Sequence, residues 1–382
     1  MFQPKVTIVI PCRDEEKVIA DVVRACKIGL KKNKLDGQIL IINSGIDRSG
    51  IIAKRLGAQV VNTPPRGLGQ AYIDSIPYIK GHYVIMGDAD GTYDYREIGK
   101  FIKKLDRGFE FVMGTRLRGW IEKDSMPSLH RYFGTPLTTW VLNMLFRLHF
   151  SDIQCGMRAM TKKALIRIDL KSSSWEYASE MVAKAGLLRL KTAEVPIHFY
   201  KSKKGRISHL QRGGWFTPWY AGWINLKIML LYAPNFIFFI PGLFFFFSGL
   251  VITIISTMGL ISSFQYHYAL LGLVLTMIGY LMIQLGILSK VFSDLNKYYD
   301  DILTRFVRKK LNYNSGMITG FILLMLGLIF DAILLTQWIL KDFKLHRISI
   351  YGITGLTLMM IGFQTIAFTF IYEVFKLSKK GE

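Results

Sequence analysis

Four apolar runs close this 382-residue chain, at about residues 236–258, 268–292, 317–337 and 348–372. A helix needs roughly 20 such residues to cross a hydrocarbon layer ~30 Å thick. No water inside that layer satisfies backbone N–H and C=O groups, so each run is expected to be a transmembrane helix. Orientation follows from loop charge. The segment between the second and third runs carries Lys297, Arg305, Arg308, Lys309 and Lys310, and the tail carries Lys376, Lys379 and Lys380, whereas residues 259–267 hold no Lys or Arg. Basic residues favour the cytoplasmic side, which places the N-terminal part, the middle loop and the C-terminus there. Lys341, Lys344 and Arg347 in the last outer loop run against this pattern. Asp331, inside the third run, is expected either near the interface or against a neighbouring helix.

The first 200 residues read differently. The runs VTIVIPC, GQILIIN, AQVVNT, HYVIMGD and FEFVMGT alternate with helical stretches at 18–31, 69–79 and 175–187. Short buried-strand candidates separated by helices predict an α/β domain with a mostly parallel sheet and helices on both faces. In such sheets ligands bind at the carboxyl ends of the strands, so the loops after Cys12, Asn43, Gly87 and Thr115 are the candidates for a site. Between this domain and the first apolar run lies GGWFTPWYAGWINLKIML, with Trp215, Trp219, Tyr220 and Trp223 close together. Such rings settle at headgroup level and predict interfacial amphipathic helices, the alternative being an ordinary core helix. The expected division is 1–210 for the α/β domain, 211–235 for the interfacial helices and 236–382 for four transmembrane helices.

The formal net charge is +22, and residues 1–235 hold 37 Lys and Arg against 20 Asp and Glu. That excess fits an anionic partner. The apolar runs favour a phospholipid surface, where each nearby Lys or Arg contributes about 1 kcal/mol of attraction. Nucleic acid is disfavoured, because the aromatics cluster at the membrane junction and do not interleave with the basic residues. Cys12, Cys26 and Cys155 show no metal or redox spacing and read as reduced thiols of a cytosolic domain. VTIVI after Lys5 is too short for a signal peptide.

Chemistry concentrates in GDADG, residues 87–91. Asp88 and Asp90 follow a strand candidate and are flanked by Gly87 and Gly91, which permit a bend that turns both carboxylates to one ligand. A hard cation such as Mg²⁺ or Mn²⁺ takes few carboxylates plus phosphate oxygens. A capped turn would use the same residues. RGLGQA, residues 66–71, lacks the GK[ST] ending of a P-loop. His130 and His209 have no partners at metal-ligand spacing.

The order VIPCRDEE, NSGIDRSG, GDADG, GTR and SDIQCGMRAM resembles glycosyltransferase family 2, with its GT-A nucleotide-sugar fold. Within it, the chain is similar to membrane-anchored polyprenyl-phosphate glycosyltransferases such as dolichyl-phosphate mannose and glucose synthases. The resemblance implies a metal-dependent, inverting hexosyltransferase that takes GDP-mannose or a UDP-hexose and delivers the sugar to a polyprenyl (dolichyl) phosphate at the cytoplasmic face. It implies nucleotide-sugar contacts from Pro11, Asp14, Glu15 and Asp88, with Gly69 beside the donor. It places the metal on Asp88 and Asp90, and Asp152 facing the reacting centre. The family's D-D-G-S turn is here Asn43-Ser44-Gly45, one residue short, so Asn43 and Asp47 are the candidates for donor contact there. Thr92 stands where mannose synthases carry a metal-supporting glutamine.

An acceptor phosphate calls for arginine forks and hydroxyl donors. Arg116, Arg118, Arg131, Arg206 and Ser208 are the candidates, Arg116 also near the chemistry, with a solvated basic face as the alternative. A processive polysaccharide synthase is the competing enzyme, but its Q-x-x-R-W is here QRGGW, residues 211–215. A catalytically inactive membrane scaffold is the non-enzymatic alternative, and intact Asp88, Asp90 and Asp152 argue against it.

Overall fold

A computed structural model describes residues 4–202, 217–258, 265–292, 298, 302–341 and 350–378. The chain divides into two compact units, Met1–Tyr232 and Ala233–Glu382.

Among its described residues the first unit holds a sheet of seven strands: β1 (Val6–Cys12), β2 (Gly37–Asn43), β3 (Gln59–Asn62), β4 (Tyr83–Met86), β5 (Phe111–Ile121), β6 (Arg158–Thr161) and β7 (Thr192–Phe199). Their spatial order is β3-β2-β1-β4-β6-β5-β7. β1, β2, β3 and β4 pair in parallel, as do β5 and β7, and β6 runs antiparallel between β4 and β5. Every residue of β1 is buried, so both faces of the central strand are covered, as its mostly apolar run requires. The mostly parallel α/β expectation holds, with one reversed strand.

The helices of this unit are α1 (Ile19–Lys32), α2 (Ser49–Arg55), α3 (Leu68–Ser75), α4 (Ile98–Leu105), α5 (Thr135–Phe146), α6 (Lys162–Ile168), α7 (Tyr177–Leu187) and α8 (Thr217–Leu231). α1 forms because Ile19, Val22, Val23, Cys26 and Leu30 recur at helical spacing and are all buried. It packs with α2 and α4, while α3 packs with α7, which also touches α5, α6 and α8. Chain order reverses on either side of β1: β2 and β3 follow on one flank, and β4 returns on the other. That makes the carboxyl ends of β1 and β4 the switch point where a ligand crevice belongs.

α8 falls within the segment 211–235 expected to hold interfacial helices. Met229 is buried, yet Trp223 and Leu231 are exposed, and its polar Asn225 accepts a hydrogen bond from Ser179 Oγ at 2.7 Å. Apolar residues therefore occupy both sides of the helix. By contact it belongs to the first unit, which ends at Tyr232. Trp215 and the QRGGW string lie outside the described residues.

The second unit contains α9 (Ile240–Thr257), α10 (Gln265–Phe292), α11 (Ile302–Lys310), α12 (Tyr313–Leu340) and α13 (Ile350–Ser378). Among the described residues four helices are long and apolar enough to cross a membrane, spanning Asn235–Ser256, His267–Val291, Tyr313–Leu340 and Gly352–Leu377. Small residues let them approach closely. A Cβ on Gly320 would lie 2.9 Å from Gly362 O, and one on Gly272 would lie 2.9 Å from Gly249 O. Packing of backbone against backbone is what drives association where lipid removes the hydrophobic effect. Asp331 abuts the backbone of Gly355 on α13 and lines a cleft of about 320 Å³ with Leu334, Leu335 and Trp338.

Candidate active site

The loops after β1 and β2 are laced together. Asp14, in a left-handed conformation with φ 58°, accepts the Ile46 N–H at 3.0 Å. Asp47 accepts the Glu16 N–H and the Ser49 N–H, each at 2.9 Å, and Ser49 Oγ accepts the Glu15 N–H at 2.9 Å. Gly45 is required where the strands converge, since a Cβ there would lie 2.5 Å from Asp14 N. Beside this lacing opens a cleft of about 440 Å³ whose lining includes Asn43, Gly45, Asp47, Lys54 and Asn62. Asn43 donates to Asn62 Oδ1 at 3.0 Å, but its own buried Oδ1 has no hydrogen-bond partner among the described residues. A buried orphan acceptor at a cleft wall suits a ligand donor. Thus Asn43 and Asp47 border an open space, Asp14 and Asp47 shape the loops, and Pro11 and Glu15 are buried.

Across the switch point, β4 ends at Met86 and the acidic turn follows. Ala89 is buried while Asp88 and Asp90 are half-exposed. Asp90 Oδ1 accepts the Thr92 N–H at 3.0 Å and the Thr92 hydroxyl at 2.6 Å, so Thr92 braces Asp90. Gly91, at φ 76°, allows the reversal. Backbone around Asp88 is pinned by phenols: Tyr95 donates to Asp88 O at 2.9 Å and Tyr72 to Gly87 O at 3.2 Å. A Cβ on Gly156 would lie 2.7 Å from Asp88 Oδ2, so only glycine leaves that carboxylate its position. Among the described residues no cluster of three or more His, Cys, Asp or Glu forms a metal cage. Two hard carboxylates on a loop fit Mg²⁺ or Mn²⁺ completed by phosphate oxygens and water, as such ions prefer.

Arg116 and Asp152 meet in a way the sequence did not foretell. Asp152 is fully buried, and its two carboxylate oxygens accept Arg116 Nε at 2.7 Å and Nη2 at 2.9 Å. The Arg116 backbone N–H donates to it as well, at 3.1 Å. Burial acts to lower the guanidinium's hold on its proton, but the Asp152 charge outweighs it and raises that hold above the ordinary value. The Arg116 guanidinium also sits 5.2 Å from the Phe199 ring. Both carboxylate oxygens are thus occupied by Arg116, so Asp152 fixes the direction of that guanidinium. Arg116 is likewise clamped, with only part of its fork left for a phosphate.

Arg118 is the exposed neighbour, with 68% of its side chain accessible and Nη1 3.5 Å from Glu194 Oε2. Glu194, on β7, accepts the Ser151 N–H at 2.5 Å and is in reach of the Ser151 hydroxyl at 3.0 Å, which fixes the turn that carries Asp152. Arg131 lies half-buried on a π-helical turn, His130–Gly134, that leads into α5, its guanidinium 5.4 Å from the Tyr132 ring. Burial, then the positive field of Arg116, hold the His130 imidazole below its ordinary value. Arg206 and Ser208 lie outside the described residues. Gly69 is buried at the start of α3 against the Ser174 carbonyl, 2.9 Å from where a Cβ would stand, so backbone packing accounts for the glycine. The three cysteines are buried and unpaired. Burial pushes the Cys12 and Cys155 thiols up to about 12, leaving them protonated and inert.

Residues 7–169 match the model of glycosyl transferase family 2, and residues 287–376 match that of the glycosyltransferase family 2 C-terminal transmembrane region. The low-salt glycan biosynthesis hexosyltransferase Agl6 of Haloferax volcanii is 30% identical over 372 residues, covering 96% of this chain and 88% of that protein. The chain belongs to glycosyltransferase family 2. The glycosyltransferase AglJ of the same organism is 28% identical over 207 residues, 54% of this chain and 66% of its own length. Among solved structures, glucosyl-3-phosphoglycerate synthase from Mycobacterium tuberculosis is similar at 17% identity and a TM-score of 0.48, over 60% of this chain and 80% of that one.

The sequence reading of this glycosyltransferase missed Glu194, Arg158 and the phenols of Tyr72, Tyr93 and Tyr95. The signal for Glu194 was a single acid within the apolar run of β7, TAEVPIHF. The phenols gave none, since their hydroxyls act across the fold.

Proposed function

We propose that this glycosyltransferase moves a hexose from a nucleotide-diphosphate sugar, GDP-mannose or a UDP-hexose, to a polyprenyl (dolichyl) phosphate. The reaction takes place at the cytoplasmic membrane face, with inversion. The observation that carries the reading is the position of the acidic turn: Asp88 and Asp90 stand at the carboxyl end of β4, at the switch point beside the β1 loop. The cleft bordered by Asn43 and Asp47 is the proposed seat of the nucleoside, and Pro11, Asp14, Glu15 and Gly69 are proposed as further donor contacts. Asp88 and Asp90 are the proposed ligands of Mg²⁺ or Mn²⁺, which when bound supplies positive charge to the donor diphosphate.

An acceptor phosphate oxygen attacks the anomeric carbon in line. The bond from that carbon to the diphosphate breaks, and its electron pair leaves with the nucleotide. The acceptor phosphate is already ionised near neutral pH, so no strong base is required. This agrees with an Asp152 that orients Arg116. Arg116, Arg118 and Arg131, with Arg206 and Ser208, are the proposed acceptor contacts. A lipid-borne acceptor is supported by the apolar row beside Arg131: Leu129, Phe133, Leu137, Trp140 and Met144 are all exposed, at spacings of three and four that share one helix face. Segment 211–235 is proposed to rest at the same interface, with both termini cytoplasmic.

The test is to incubate the purified protein and Mn²⁺ with a short polyprenyl phosphate and GDP-mannose, UDP-glucose or a UDP-N-acetylhexosamine, then weigh the lipid. A gain of one hexose on the lipid phosphate is expected. Transfer of several sugars in succession would favour the processive synthase, and no transfer from any donor would refute the reading.

A further inference from the structure

Arg158 opens β6 and is fully buried. Its guanidinium donates to Cys155 O at 2.8 Å, to Ala178 O at 3.2 Å and to Met181 Sδ at 3.7 Å, and sits 5.5 Å from the Tyr177 ring. All these acceptors are neutral, and its buried Nε has no hydrogen-bond partner among the described residues. Burying a guanidinium with no carboxylate in hydrogen-bond contact among the described residues is expensive, and fold alone gives no reason for it. A leucine or methionine would fill the same space.

Its location gives the reason. Arg158 is the strand partner of Met86, the last residue of β4 before the acidic turn. Two residues back in the chain, Gly156 donates its N–H to the Tyr93 hydroxyl oxygen at 2.8 Å, and a Cβ there would lie 2.7 Å from Asp88 Oδ2. On the other side Tyr177 contacts Tyr72 at 5.0 Å, and Tyr72 donates to Gly87 O. Arg158 and Asp88 therefore flank the same pair of phenols, and both fields act on Tyr177 with opposite sign.

We infer that Arg158 is a positioning residue for the donor: a fixed cation behind the acidic turn that holds Asp88 in place and favours a diphosphate in front of it. The inference rests on the reading of Asp88 and Asp90 as the donor-diphosphate turn. A cation there has a signature that packing lacks. Its field attracts the diphosphate and repels the divalent ion, so removing it shifts the two affinities in opposite directions.

The test uses the full chain in detergent or nanodiscs, with calorimetric titration of GDP and UDP at fixed Mn²⁺ and electron paramagnetic titration of Mn²⁺ alone. In Arg158→Met, nucleoside diphosphate binding is expected to weaken about tenfold or more, the scale of one charge interaction inside a protein. Mn²⁺ alone is expected to bind at least as tightly as in the parent. Arg158→Lys, which keeps the charge, should restore nucleotide binding to within about threefold. If Arg158→Met does not fold, Arg158→Gln, which keeps an amide donor for Cys155 O, takes its place. Parallel loss of Mn²⁺ and nucleotide binding, or unchanged nucleotide binding, would overturn the inference. A parent protein that binds neither GDP nor UDP with Mn²⁺ would instead refute the underlying reading, and the inference with it.

Discussion

Replacing Asp152 by Asn tests whether the Arg116–Asp152 pair holds the site together. The carboxylate accepts three hydrogen bonds from Arg116, at 2.7, 2.9 and 3.1 Å, and is fully buried. Asn keeps the shape and one acceptor oxygen but leaves the guanidinium without a counter-charge. Breaking a buried pair by removing one partner costs about 3–5 kcal/mol, and an isostere belongs at the lower end. For a unit the size of Met1–Tyr232, each kcal/mol shifts the melting point by about 2–4 °C, so ~3 kcal/mol means a fall of roughly 6–12 °C. The assay is thermal unfolding of the solubilised protein followed by tryptophan fluorescence. The double variant Arg116→Met with Asp152→Leu should regain most of this stability while remaining inactive, because neutral packing replaces the pair but not its chemistry. A fall of under about 3 °C for Asp152→Asn would refute the argument that the pair is structurally committed.

Asp90→Ala is expected to lower transfer by about 10³-fold or more, the scale of losing a charge-stabilising group, with membrane insertion unchanged. Retained turnover with the same metal dependence would remove Asp90 from the site. Arg131→Ala should raise the KM for polyprenyl phosphate about tenfold, the worth of one charge-assisted hydrogen bond, and leave nucleotide affinity near the parent value. Equal loss of both would make the arginine structural. His130 has its folded pKa held below the ordinary 6.5 by burial and by Arg116. The unfolded chain therefore takes up the proton first, so its contribution to stability is complete above pH 6.5 and is lost as pH falls toward the lowered value. His130→Gln should flatten the melting curve's pH dependence between about pH 7 and 5. An identical slope in both proteins would contradict the sign.

The parallel core was legible because VTIVIPC, GQILIIN and HYVIMGD are continuous apolar runs, which only strands covered on both faces require. β6 was not, because it begins with a charged residue, and only burial reveals that Arg158 points inward. β7 hid behind Pro196, which its position at the sheet edge tolerates. The acidic turn could be read from its glycines and spacing. The clamp between Arg116 and Asp152 could not, since 36 residues separate partners that only the fold brings together. Four apolar helices were read to within a few residues, because hydrocarbon allows little else.

The most direct measurement is the anomalous scattering of Mn²⁺ in crystals of the full chain grown with GDP or UDP. The account predicts one ion in contact with Asp88 and Asp90, bridging to the nucleotide's diphosphate, with the base in the cleft bordered by Asn43 and Asp47. A nucleotide bound with its manganese away from Asp88 and Asp90 would contradict it.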